Sequence, residues 1–106
     1  EIFLRVLEID SDDALANSGL GEISMERGHY DRAIEFFDLA LRSDPSFSVA
    51  YLKLGRCLEA KEDFATAKNT YLRGIGIAAK RGDLGTASEI QGRLALLEQK
   101  ETAKNI

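Results

Sequence analysis

The chain has 106 residues, 44% hydrophobic and 30% charged, enough for one domain with a true core and a well-solvated surface. Its net charge of −4 argues against a nucleic-acid partner or an anionic membrane surface, both of which select basic faces. One proline, scattered glycines and apolar runs far below the roughly 20 residues of a bilayer span leave no linker and no membrane-spanning segment, and no stretch is built like a signal peptide.

Residues 1–13 read as the close of a helix, carrying Phe3 and Leu7 and ending on the acidic Glu8-Ile9-Asp10. The run Asp10-Ser11-Asp12-Asp13 looks like part of a calcium loop, but the residues after it do not continue one. A solvated turn whose carboxylates sit at the positive end of the next helix accounts for it better. In 14–47, Leu20, Ile23 and Ser24 mark one helical face, and Gly28-His29 ends that helix through a left-handed glycine. Asp31 is expected to cap the following helix, whose Ala33, Phe37, Ala40 and Leu41 keep helical spacing until Asp44-Pro45 stops it.

In 48–81 the same plan returns: Ser46 or Ser48 as the cap, then Tyr51, Leu54 and Leu58, the turn Glu62-Asp63, then Phe64, Ala67, Tyr71 and Gly74. With Ala79 where a proline could stop it, this helix is predicted to run to about Arg81. After Gly82-Asp83 a last helix places Leu84, Ala87, Ile90, Leu94 and Leu97 on one stripe and Glu89, Arg93, Glu98 and Lys100 on other faces. Residues 101–106 are predicted to fray.

Sliding the chain against itself by 34 residues aligns Leu20-Gly21 with Leu54-Gly55, Tyr30 with Phe64, Ala33 with Ala67 and Phe37 with Tyr71. Ala40 then falls on Gly74 and Leu41 on Ile75, while Phe3, Leu7 and Asp10 fall on Phe37, Leu41 and Asp44. What repeats is side-chain size at particular places. Small residues at 21, 33, 55 and 67 would let paired helices cross closely, where a bulkier group costs about 1–3 kcal/mol. Asn17, Ser24 and Glu62 depart from the pattern, standing where an aromatic, an aromatic and a turn glycine are expected.

The arrangement Tyr51-x2-Leu54-Gly55-x2-Leu58, Phe64, Ala67-x3-Tyr71-x2-Gly74, with Leu20-Gly21, Gly28-x-Tyr30, Ala33-x3-Phe37-x2-Ala40-Leu41 and Asp44-Pro45 before it, resembles the tetratricopeptide repeat (TPR) family. The resemblance implies an all-α fold, an α-solenoid of antiparallel helix pairs wound as a right-handed superhelix, with about six helices. It divides the chain into the end of a preceding repeat (1–13), two repeats (14–47 and 48–81) and a capping helix (82–106), similar to small bacterial TPR proteins. The chain is expected to begin within a helix of an earlier repeat; the alternative is an N-terminal capping helix of a complete small protein.

The resemblance further implies a protein that binds a peptide or protein in a concave groove lined by the leading helices. Carried over residue by residue, the groove places are Leu15, Ser18, Glu22, Met25 and Glu26 in the first repeat and Val49, Leu52, Lys53, Arg56 and Glu59 in the second. They offer an acidic wall, a basic pair Lys53/Arg56 and apolar patches, suited to a peptide of mixed charge. TPR domains that hold heat-shock chaperone tails use a lysine and arginine pair in their third repeat. Here Lys53 matches at most one of that pair and Val49 replaces the other basic residue, so weak or no binding of such tails is expected.

No catalytic or metal site is expected, and no cofactor. His29 belongs to a turn without a carboxylate or cysteine partner. Cys57 reads as a small buried hydrophobe rather than a reactive thiolate; as the single cysteine it cannot form an internal disulfide, which fits a reducing, cytoplasmic setting. Gly74-x-Gly76 lies inside a helix and lacks the strand and third glycine of a phosphate loop. Three roles stay open: a peptide-binding adaptor without enzyme activity, a module that stacks or self-associates through Ile2, Phe3, Val6 and Phe36 at exposed apolar surface, and a regulatory domain for an enzyme outside this sequence.

Overall fold

A computed structural model describes residues 2–9 and 12–104, which form six helices and, among the described residues, no strand. They are α1 (Ile2–Ile9), α2 (Ala14–Glu26), α3 (Tyr30–Ser43), α4 (Ser48–Ala60), α5 (Phe64–Arg81) and α6 (Leu84–Lys104). Asp10 and Ser11 of the acidic run lie outside the described residues, as do Asn105 and Ile106. Residues 101–104, expected to fray, continue α6 instead. No helix of the described residues is long and apolar enough to cross a membrane.

Local chemistry sets the helix ends. Asp13 caps α2 by accepting from the Ala16 N–H at 2.7 Å, and Asp63 caps α5 by accepting from the Thr66 N–H at 3.3 Å. Gly28 (φ 78°) and Gly82 (φ 73°) take the left-handed turn after α2 and α5, where a glycine has no Cβ to clash. Glu62 makes the same turn after α4 at φ 60°, the place where the repeat pattern lacks its glycine.

Two expected caps are corrected. Asp31 lies inside the first turn of α3, whose cap position is His29 with no side-chain bond, and Asp31 pairs with Lys61 at 3.0 Å. Neither Ser46 nor Ser48 caps α4, whose cap position is Phe47. The Ser46 hydroxyl turns back to Asp44 at 2.6 Å, and Ser48, already helical, donates to Asp83 at 2.7 Å. Each hydroxyl thus donates to a charged carboxylate, a stronger bond than accepting from a helix N–H as a cap would.

Consecutive helices pack as antiparallel hairpins, and small residues decide how closely. The Phe37 ring of α3 lies on Gly21 of α2, and 34 residues on, the Tyr71 ring of α5 lies on Gly55 of α4. Gly74 in turn receives Tyr51 and the Cδ1 end of Ile90. Phe37, Cys57, Tyr71, Ile90 and Leu97 are fully buried around these contacts. Leu84, expected on the apolar stripe of α6, is instead 71% exposed at the first position of that helix. Asn17, in the aromatic's place, is 1% exposed and gives its amide to the Asp13 carbonyl at 3.1 Å, so a polar group replaces the expected ring without losing burial.

Stacking of the hairpins gives an elongated molecule of 51 × 30 × 18 Å. The odd and even helices behave differently along it. α2 reaches α4 and α4 reaches α6, whereas α3 and α5 have no Cα pair within 8 Å. The row α2–α4–α6 is therefore the tighter layer, and the stack curves so that this layer lines its concave face.

Candidate functional site

The 34-residue period puts Met25, Glu59 and Arg93 at one level of α2, α4 and α6, and all three line a cavity of about 390 Å³ on the concave face. Glu26, Tyr30, Arg56, Ala60 and Lys100 complete its wall. At its floor Glu59 is 8% exposed, and a carboxylate so placed needs compensation. It receives it three times over: the Tyr71 hydroxyl and Arg93 Nη2 (3.3 Å) both reach Oε2, and Lys100 Nζ stands 3.8 Å from Oε1. Burial, followed by the bond to Glu59, pushes the Tyr71 phenol well above its ordinary range. Arg93 Nε is itself buried without a hydrogen-bond partner, a donor held there by the pull of Glu59 on the other side of the guanidinium.

Of the residues expected in the groove, the structure brings Met25, Glu26, Arg56 and Glu59 to this cavity. Glu22 and Lys53 form an ion pair at 3.2 Å, so the charge of Lys53 is already matched, and Arg56 is the exposed cation of the expected pair. Leu15 is 67% exposed and Val49 is half-buried. Ser18 and Leu52 are buried, which makes them part of the packing beneath the groove and not free surface.

The sequence places Arg93 and Lys100 on faces of the last helix other than its apolar stripe, and in the structure they close one end of the groove. The signal for Arg93 was present: it stands 34 residues after Glu59. Lys100 lies beyond the last turn the repeat can align, and only the approach of α6 to α4 brings it in.

His29 is exposed at the α2–α3 turn. Cys57 is fully buried, and burial pushes its thiol up to about 11 despite Arg56 and Lys53 nearby, which keeps it protonated and inert. Among the described residues no three His, Cys, Asp or Glu side chains gather as a metal site would require.

A row of antiparallel helix hairpins with an unbroken concave face defines a helical-repeat scaffold. The tetratricopeptide repeat family model matches residues 25–87, more than half of the chain, and the chain belongs to that family. It is 31% identical over 98 residues to a TPR repeat-containing protein of Pseudomonas aeruginosa, covering 92% of this chain and 93% of that one. Among solved structures it resembles a TPR domain protein from Salinibacter ruber, with a TM-score of 0.77, 26% identity, and 85% and 91% of the two chains covered. It also resembles the TPR2B domain of yeast Sti1 in complex with pHsp70, with a TM-score of 0.87 over 92% and 78% of the chains; at 20% identity this likeness is one of fold. TPR folds commonly mediate protein–protein interaction, and this chain has that fold.

Proposed function

We propose that the protein is a non-catalytic scaffold that holds an extended segment of a protein partner in the concave groove. The observation that carries this reading is one cavity lined by three successive inner helices, with Met25, Glu59 and Arg93 at equivalent places in the repeat. Its apolar wall of Met25, Tyr30 and Ala60 suits an apolar side chain, and Arg56 and Lys100 at its rim suit a neighbouring acid. The Sti1 domain of like fold is in complex with pHsp70. The repeat units are taken as 14–47 and 48–81, with 82–106 as the capping helix. Glu59, the one acid buried at the site, is committed to Tyr71 and Arg93 and is not a free general base, which favours binding over catalysis.

The test is a partner recovered on the immobilised chain and then offered to Arg56→Glu and Met25→Glu. Each substitution is expected to lower its affinity tenfold or more while circular dichroism and the melting temperature stay unchanged. Full retention by both variants overturns the groove reading. A heat-shock-type acidic tail is expected to bind weakly at best, because Lys53 is already paired with Glu22.

A second reading has its own observation. Of the residues expected at a self-association surface, Phe3, Val6 and Phe36 are partly buried, Phe3 against Gly19 of α2. Ile2, together with Leu4 of α1 and Leu15 of α2, is more than half exposed at the same end of the stack, an apolar surface through which copies could associate. Monomer behaviour independent of concentration in sedimentation would remove it.

A further inference from the structure

A cavity larger than the one in the groove lies elsewhere. It is a furrow of about 570 Å³ on the opposite face, between α3 and α5, floored by α4. It exists because the backbones of the outer helices stay apart, which leaves the buried Leu54 and Leu58 of α4 at the bottom of the gap. The furrow has direction, since α4 runs antiparallel to its neighbours. At one end are Leu58, Ile34 and Thr66. At the other the Tyr51 hydroxyl donates to the Pro45 carbonyl at 2.7 Å, and the Arg73 guanidinium lies 5.9 Å from the Tyr51 ring centre.

Arg42 joins Arg73 at that second end, and neither has a carboxylate within ion-pair distance among the described residues. Asp38, one turn before Arg42, also lacks an ion pair. Desolvation raises its pKa, and the charge of Arg42 only partly draws it back.

We propose that this outer furrow is a second docking site, and that its occupant is an amphipathic helix of a partner protein, with leucine-like anchors against the half-buried Ile34 and Leu41, above the buried Leu54 and Leu58 of the floor, and a carboxylate facing Arg42 and Arg73. Charge complementarity selects the carboxylate, because the cationic end holds two arginines against one partly shielded aspartate. Ile34 and Arg42 are eight positions apart on α3, about 12 Å at 1.5 Å per residue. The anchor and the acid of the occupant are therefore separated by about two helical turns, an i, i+8 spacing.

The site is tested with a displayed library of 16-residue helical peptides selected on the intact chain, followed by amide NMR mapping of the best peptide. The expected result is a consensus of apolar residues with an acid about eight positions away. The footprint should fall on Ile34, Leu41, Leu54 and Thr70, with at least a tenfold loss of affinity in Arg42→Glu/Arg73→Glu and none in Lys80→Glu. A footprint confined to the Arg56 and Arg93 side, or affinity unchanged by the arginine reversals, overturns the proposal. So does a selection that yields no furrow-binding peptide. The footprint is read on the unsubstituted protein, so the test stands even if the double variant fails to fold, and it is independent of whether the concave groove binds anything.

Discussion

A methyl group added at Gly55 would stand 2.1 Å from the Tyr71 ring, a separation that cannot persist. The ring cannot swing aside easily, because its hydroxyl is tied to Glu59 and the side chain is fully buried. Gly76, on the outer side of α5, has nothing within 4 Å of the same position. Alanine favours helix over glycine by about 1 kcal/mol at both sites, so the two substitutions isolate the clash. Gly76→Ala is expected to stabilise by about 0.5–1 kcal/mol. Gly55→Ala is expected to lose about 2 kcal/mol net, overpacking outweighing propensity, seen as a melting temperature lower by roughly 10 °C. Both glycines are helical and look alike in a local window. The 34-residue alignment already distinguished Gly55, which repeats Gly21, from Gly76, which repeats nothing small.

At the scale of the helices, the joints between successive hairpins are made by turn residues reaching across to the next hairpin. Arg81 at the end of α5 donates to the Ser46 carbonyl of the α3–α4 turn, and Ser48 at the start of α4 donates to Asp83 before α6. The Ser48 hydroxyl, and then the Thr86 side chain and N–H, hold the Asp83 carboxyl below the ordinary value of 3.8. The native chain thus releases this proton at a lower pH than the unfolded chain does. The stability it contributes is complete above about pH 4 and is lost as the pH falls through the lowered native value. In thermal melts between about pH 5 and pH 2.5, the parent protein is expected to lose more melting temperature than Asp83→Asn; equal losses would show that the joint carries no such linkage. The helices themselves were legible from apolar spacing and stop signals, including the run of α5 to Arg81. The caps were less so, because whether Ser48 serves its own helix or Asp83 depends on a residue 35 positions away.

For the whole molecule, the stack makes each hairpin depend on its neighbour, and α6 covers the last one. Ile90 and Leu97 are fully buried there, and Ile90 reaches Gly74. A chain ending before Leu84 would uncover Tyr51 and Tyr71 and strip Glu59 of both its cations. Its melting temperature is expected to fall by more than about 15 °C, or its sigmoidal transition to vanish; a melt within about 5 °C of the parent would show that α6 adds little. The repeat period, the identity of the helices and the residues at their crossings were determined by the sequence alone, since each is a matter of side-chain size at a spacing imposed by the helix. It also carried the level shared by Met25, Glu59 and Arg93. Only the tertiary structure decided which polar groups are spent and which are free. Lys53 is matched by Glu22, Glu59 is enclosed by Tyr71, Arg93 and Lys100, and Arg42 and Arg73 are left without an ion-paired acid among the described residues, over a gap between helices whose backbones stay apart. Those outcomes depend on distances between helices, and no pattern along a single helix records them.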